Sequence, residues 1–243
     1  MVVRFRQFFS AAVVTLLAVA LSAEAHFMWF EAVPTPEGTT LKAGFGEKGA
    51  WETEYAPSIE KATYWLVGAD GKSEPVSFVW DKKQECYIAF LPKETGPAAY
   101  GKLTWGIFAR DGVPPSLLYY YPKILLGAPE RWNDVKPAAD SNVEILIKLE
   151  GSTVKFQALA QGKPMPEAKV KFYTPDASEP EVVTADKDGK GEWKVEGPGT
   201  YSVTVVDRRK VGGEHEGKKF VGEMHCASLV FTVPDAKATT AAK

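Results

Sequence analysis

The chain contains three histidines, His26, His215 and His225, and two cysteines, Cys86 and Cys226. These five side chains are the natural transition-metal ligands of the sequence. His26 stands out by its place. It directly follows Ala23-Glu24-Ala25, which supplies small residues where a signal peptidase needs them. Cleavage after Ala25 would give His26 a free α-amino group beside its imidazole, and the amine nitrogen and Nδ1 can then chelate one metal ion. The ordinary amine pKa of about 7.7–8.0 lets a metal displace that proton near neutral pH. One further histidine completes a planar three-nitrogen set, a histidine brace, which suits Cu(II) and then Ni(II). The plainer alternative is that cleavage must leave some residue first, and that this one is histidine by chance.

His225 is the preferred partner, in Gly222-Glu223-Met224-His225-Cys226 just before the last strand expected. His215 follows, in the acidic run Gly213-Glu214-His215-Glu216-Gly217. Two histidines ten residues apart, one on a loop and one on the strand it feeds, can converge on one site, or either can be a solvated surface residue. Glu47, Glu214, Glu223 and Met224 are additional ligand candidates. In an oxidising compartment two cysteines most simply form one disulfide, tying the first half of the chain to the second. The alternative is a free Cys226 beside His225, acting as a soft ligand for Cu(I).

Other chemistry is poorly represented. There is no Gly-x-Ser-x-Gly elbow, no phosphate-cradling glycine loop and no His-Glu-x-x-His helix. The run Asp186-Lys187-Asp188-Gly189-Lys190-Gly191-Glu192 lacks the ligand spacing of a calcium loop and reads as a hairpin turn. The cluster Leu117-Leu118-Tyr119-Tyr120-Tyr121 reads as packing rather than as a ligand platform. A net charge of −2 with no Lys/Arg-rich run gives no footprint for nucleic acid.

The elements that must position these residues are strands. Arg4 and Arg6, the apolar stretch 8–21 and the Ala25 cleavage site make residues 1–25 a signal peptide rather than a membrane anchor, because the run is short for a span of ~20 residues. No second stretch is long enough to cross a bilayer, and no lipobox cysteine lies near the cleavage site. Residues 26–136 carry short apolar runs at 63–67, 77–80, 86–91, 103–109 and 116–121, separated by Gly/Pro/Asp turns. Residues 57–61 can begin a short helical turn, and 127–142 read as a linker. From 142 to 234 the strand rhythm sharpens, at 143–149, 153–160, 169–173, 181–184, 191–195, 200–207 and 227–233, with a polar loop over 208–219. Residues 235–243 are a small, polar tail expected to be disordered. The fold class is all-β, with two Ig-like β-sandwich regions after the signal peptide.

Two resemblances rest on particular residues. Gly162-Lys163-Pro164-Met165-Pro166-Glu167-Ala168-Lys169-Val170, then Thr184 to Gly191, then Gly197-Pro198-Gly199-Thr200-Tyr201, resemble a carboxypeptidase-regulatory-like, or transthyretin-like, β-sandwich. Such modules serve structure or interaction. The whole mature chain resembles exported proteins of unknown function related to NikM-type periplasmic components of nickel uptake. The residues that carry this are His26-Phe27-Met28-Trp29-Phe30, Gly44-Phe45-Gly46-Glu47, Trp105 to Arg110, Leu117 to Lys123, and Gly222 to Leu229. The resemblance implies metal handling, of nickel or copper, outside the cytoplasm, with His26 and His225 as the ligands carried over. Cys226 stands where an aromatic residue is expected.

The leading expectation is therefore an exported, non-catalytic, periplasmic or secreted protein. It would hold Cu(II) or Ni(II) for delivery to a membrane transporter or another envelope protein, or for sequestration. One alternative is a copper enzyme that activates oxygen at a brace. Another is a structural module that binds an envelope protein or a glycan. The intact mass of the exported protein is expected to correspond to a chain beginning at His26; a different first residue would remove the chelating amine from the argument.

Overall fold

The computed structural model describes residues 26–46, 52, 56–68, 72–93, 95–110, 112–133, 135–176 and 179–235. Residues 1–25, read from sequence as a signal peptide, Glu47 and the tail beyond Asp235 lie outside them. The described chain is almost entirely strand. The first half holds β1 (Phe27–Thr35), β2 (Gly38–Gly46), a one-turn helix α1 (Ala56–Ile59), β3 (Thr63–Val67), β4 (Ser73–Pro75), β5 (Val79–Asp81), β6 (Cys86–Pro92), β7 (Ala98–Arg110) and β8 (Val113–Leu125). A 3-10 turn over Pro129–Arg131 leads to β9 (Val143–Glu150), β10 (Thr153–Ala160), β11 (Lys163–Pro164), β12 (Lys169–Tyr173), β13 (Glu181–Thr184) and β14 (Lys190–Lys194). The chain closes with β15 (Gly199–Arg209), β16 (Gly213–His215), β17 (Lys218–Phe220) and β18 (Gly222–Val233).

An eight-stranded sheet in the order β13-β12-β15-β18-β8-β7-β3-β4 forms the middle layer. Its halves come from the two ends of the chain and meet where β8 and β18 run parallel, with Leu118 opposite Met224 and Tyr120 opposite Cys226. The sheet β1-β2-β6-β5 is built from the first half, and β9, β10, β11 and β14 form a second outer sheet from the later half. Two separate cores result. One gathers Met28, Trp29, Leu41, Phe45, Leu118, Tyr120, Cys226 and Val230. The other gathers Tyr121, Ile145, Val154, Phe172, Trp193, Val203, Leu229 and Phe231.

Strand alternation explains this partition. Successive side chains point to opposite faces. Along β18, Cys226 and Val230 enter the first core, while Ala227, Leu229 and Phe231 enter the second. Along β8, Leu118, Tyr120 and Ile124 face one way, and Tyr121 and Leu125 the other. Strands covered on both faces need apolar residues at every position, so these segments read as continuous runs rather than alternating ones.

The 127–142 segment is more than a linker. Trp132 is buried edge-on against Phe231, with ring centres 5.8 Å apart. Lys123 on β8 forms a buried ion pair with Glu144 on β9, and the Ala138 N–H donates to the other Glu144 oxygen at 2.9 Å. The strand runs read from sequence recur at β3, β10, β12 and β13 with the same bounds. The polar loop expected over 208–219 instead contains β16 and the start of β17, and the β1–β2 ribbon runs further than its apolar residues suggest. Asp186 Oδ1 accepts from the backbone N–H groups of Asp188 and Lys190, which closes the turn read there.

The disulfide expected between Cys86 and Cys226 is not formed; both are free, buried thiols. Cys86 belongs to the outer sheet, and Cys226 lies in the first core, to which Cys86 does not belong.

Glu144→Ala is expected to cost roughly 3–5 kcal/mol, because it strands a buried ammonium and an amide donor together. The double variant Lys123→Met/Glu144→Leu is expected to recover much of that loss. Urea denaturation of the three proteins measures both effects.

Candidate functional site

His26 immediately precedes β1, the strand whose Phe27 pairs with Gly46 of β2. Its imidazole lies parallel to the Phe45 ring, 6.0 Å between centres and 16° between planes. Phe45 in turn stacks on Trp105 at 4.3 Å. His26 Nε2 lies 2.9 Å from the Glu52 carboxylate, with about a third of each side chain exposed, 31% and 34%. In the tautomer that carries its proton on Nε2, the ring donates to Glu52 and its lone pair is on Nδ1. That tautomer is the one an amine-plus-Nδ1 chelate requires. Glu52 was not singled out from sequence; it lies 26 residues from His26, and no local pattern links the two.

His225 has a different environment. It is 1% exposed and lies flat against Tyr119, 4.7 Å between ring centres and 4° between planes. Tyr121 Oη lies 3.1 Å from Nδ1, and Glu223 Oε2 lies 3.1 Å from Nε2. Asn142 Nδ2 donates to Tyr121 Oη at 3.1 Å. One assignment satisfies the whole chain: the Tyr121 hydroxyl donates to Nδ1, and the neutral His225 donates from Nε2 to Glu223. Burial is the largest influence on the imidazole and holds its pKa below the ordinary histidine value, against the opposing pull of Glu223. Burial likewise pushes the Tyr121 hydroxyl up to about 12. Arg209 completes the network, donating to the Asn142 carbonyl and to Asp207.

His225 and His26 attach to opposite sides of the central sheet. His225 shares a face with Tyr119 and Tyr121, whereas His26 stacks on Phe45, which belongs to the other core together with Tyr120. Cys226, next to His225 in sequence, points away from it for the same reason of alternation. Its thiol is wholly buried, and burial pushes its pKa up to about 12. A buried thiol held protonated in this way is a poor metal ligand.

His215 lies at the end of β16 and lines a cleft with Trp105, Lys102 and Asp140. Among the described residues, no three His, Cys, Asp or Glu side chains converge as a metal-binding group. The three histidines thus occupy three environments: an N-terminal edge, a buried network and a cleft wall.

No family model matches the chain, and no curated protein matches it. Among solved structures, one similar chain is a two-domain fibronectin type-III segment of chicken tenascin. It is 13% identical, the match covers 84% of this chain and 97% of that one, and the TM-score is 0.26. No helix among the described residues is long and apolar enough to cross a membrane.

The lowered His225 pKa makes stability pH-dependent. Below about pH 6.5 the unfolded chain takes up a proton that the folded protein resists, so stability falls as pH falls through that value. His225→Asn is expected to remove this component, at most ~1.4 kcal/mol per pH unit, from the decline between pH 7.5 and 5.5 measured by urea denaturation.

Proposed function

We propose that the mature protein binds Cu(II) or Ni(II) outside the cytoplasm through the α-amino nitrogen and Nδ1 of His26. Its role would be delivery to a membrane transporter or another envelope protein, or sequestration. The observation that carries the reading is the Glu52 carboxylate at His26 Nε2. A histidine that ligates a metal through one nitrogen commonly donates its other N–H to a carboxylate, which fixes the ring and strengthens the ligating nitrogen. With about a third of the His26 side chain exposed, water or a partner's ligand would complete the coordination in this reading, which favours exchange over permanent storage. The resemblance to NikM-type nickel-uptake components agrees with this role, as does the signal-peptide reading of residues 1–25. His225, with both ring nitrogens in hydrogen bonds, serves in this reading to hold the sheet rather than to bind the ion.

The test is titration with Cu(II) and Ni(II) of protein whose first residue is verified as His26 by intact mass. One-to-one binding is expected to disappear in His26→Ala and in a variant with one glycine ahead of His26. It is expected to weaken about 10-fold or more in Glu52→Gln and to change little in His225→Asn. Unchanged affinity in His26→Ala would overturn the reading, and a large loss in His225→Asn would return that histidine to the ligand set.

A further inference from the structure

A cleft of about 460 Å³ opens on the side of the central sheet where β3 and β7 lie beside one another, bounded also by Asp140 and by the end of β16. Its size is that of a small-ligand site. Thr63 of β3 lies opposite Lys102 of β7, and Trp65 opposite Tyr100, so these pairs share one face. Trp65 is half-buried and stacks on Tyr100, 5.1 Å between ring centres and 15° between planes. It is a fixed aromatic wall, not a mobile surface side chain.

The sheet is locally modified at this cleft. Between Thr104 and Gly106 the β7–β8 register shifts, leaving Trp105 as the extra residue of a bulge. Gly106 takes φ +119°, which side chains other than glycine's rarely adopt. Thr104 and Trp105 both border the cleft, while the Trp105 ring lies on the first-core side, stacked on Phe45.

The polar groups are mixed and balanced. Lys61 and Lys102, Asp140 and Glu216, Thr63 and Thr104, and His215 all line the cleft. Such a lining holds no excess of either charge to select an ion, and the described residues form no metal-binding group of three. It does offer both donors and acceptors in a cleft that Trp65 also lines. A neutral ligand with a C–H face and vicinal hydroxyls matches both features: the C–H face lies on the aromatic wall, and charged side chains make strong hydrogen bonds to the hydroxyls.

We propose that this cleft binds a neutral glycan, with Trp65 as the stacking surface and Lys102, Asp140 and His215 as the groups that orient its hydroxyls. The site is independent of His26 and of any metal.

The experiment is isothermal titration of the His26-initiated chain with soluble cello-, chito-, xylo- and malto-oligosaccharides, with triglycine and inorganic phosphate as charged comparisons. At least one oligosaccharide is expected to bind with Kd of about 1 mM or tighter, with affinity nearly unchanged between low and high salt. Lys102→Ala and Asp140→Ala, both at partly or fully exposed positions, are expected to weaken it about 10-fold each, and Trp65→Ala to abolish it. His26→Ala is expected to leave it intact, which separates this site from the metal reading. Absence of binding to all four oligosaccharides would overturn the proposal. So would binding of triglycine or phosphate alone, or oligosaccharide affinity that survives in Lys102→Ala and Asp140→Ala.

Discussion

The parallel pairing of β8 with β18 is the contact on which the rest of the structure depends. It joins strands about a hundred residues apart, Leu117 opposite Glu223 and Tyr121 opposite Ala227, into one continuous sheet. Parallel neighbours need both faces covered, and here each face has its own outer sheet and its own core. Residues in the two central strands therefore serve both cores in alternation, and neither half of the chain could bury its apolar surface without the other. The Lys123–Glu144 ion pair and the Ala138 amide tie the connecting segment to the same place. A buried pair of this kind adds little net stability; it joins β8 to β9 across the second core.

That pairing also decides the fate of the histidines. Because alternation sends neighbours to opposite faces, His225 is enclosed with Tyr119, Tyr121 and Glu223 while Cys226 enters the other core. Neighbours in sequence, His225 and Cys226 face opposite sides of the sheet. Both His225 ring nitrogens lie in hydrogen bonds, and its neighbours Asn142, Arg209 and Asp207 carry the network across to β15 and the connecting segment. His26 keeps about a third of its side chain exposed at the head of β1, beside Phe45 and Glu52.

Much of the fold was legible because short β-strands announce themselves. The bounds of β3, β10, β12 and β13 follow directly from apolar runs between turn residues, and the Asp186 turn follows from its own side-chain geometry. Where reading failed, the reason was tertiary. The β16–β17 hairpin contains Glu214, Lys218 and Lys219, with little hydrophobic pattern to mark it as strand. Trp132 sits in a Pro- and Ala-rich stretch that resembles a linker until Phe231, a hundred residues on, supplies its packing partner. The expected disulfide came from counting cysteines and the compartment inferred for them; only the placement of their strands decided that they stay apart.

The sequence alone determined the all-β class and most strand positions, because these depend on local chain chemistry and on periods of a few residues. Only the tertiary structure decided that Glu52 meets His26, that His225 is buried with a tyrosine and a glutamate, and that Trp65, Lys102, Asp140 and His215 surround one cleft. The physical reason is register. Strand pairing and face alternation set which distant residues become neighbours, and neither is encoded within any one segment of the chain.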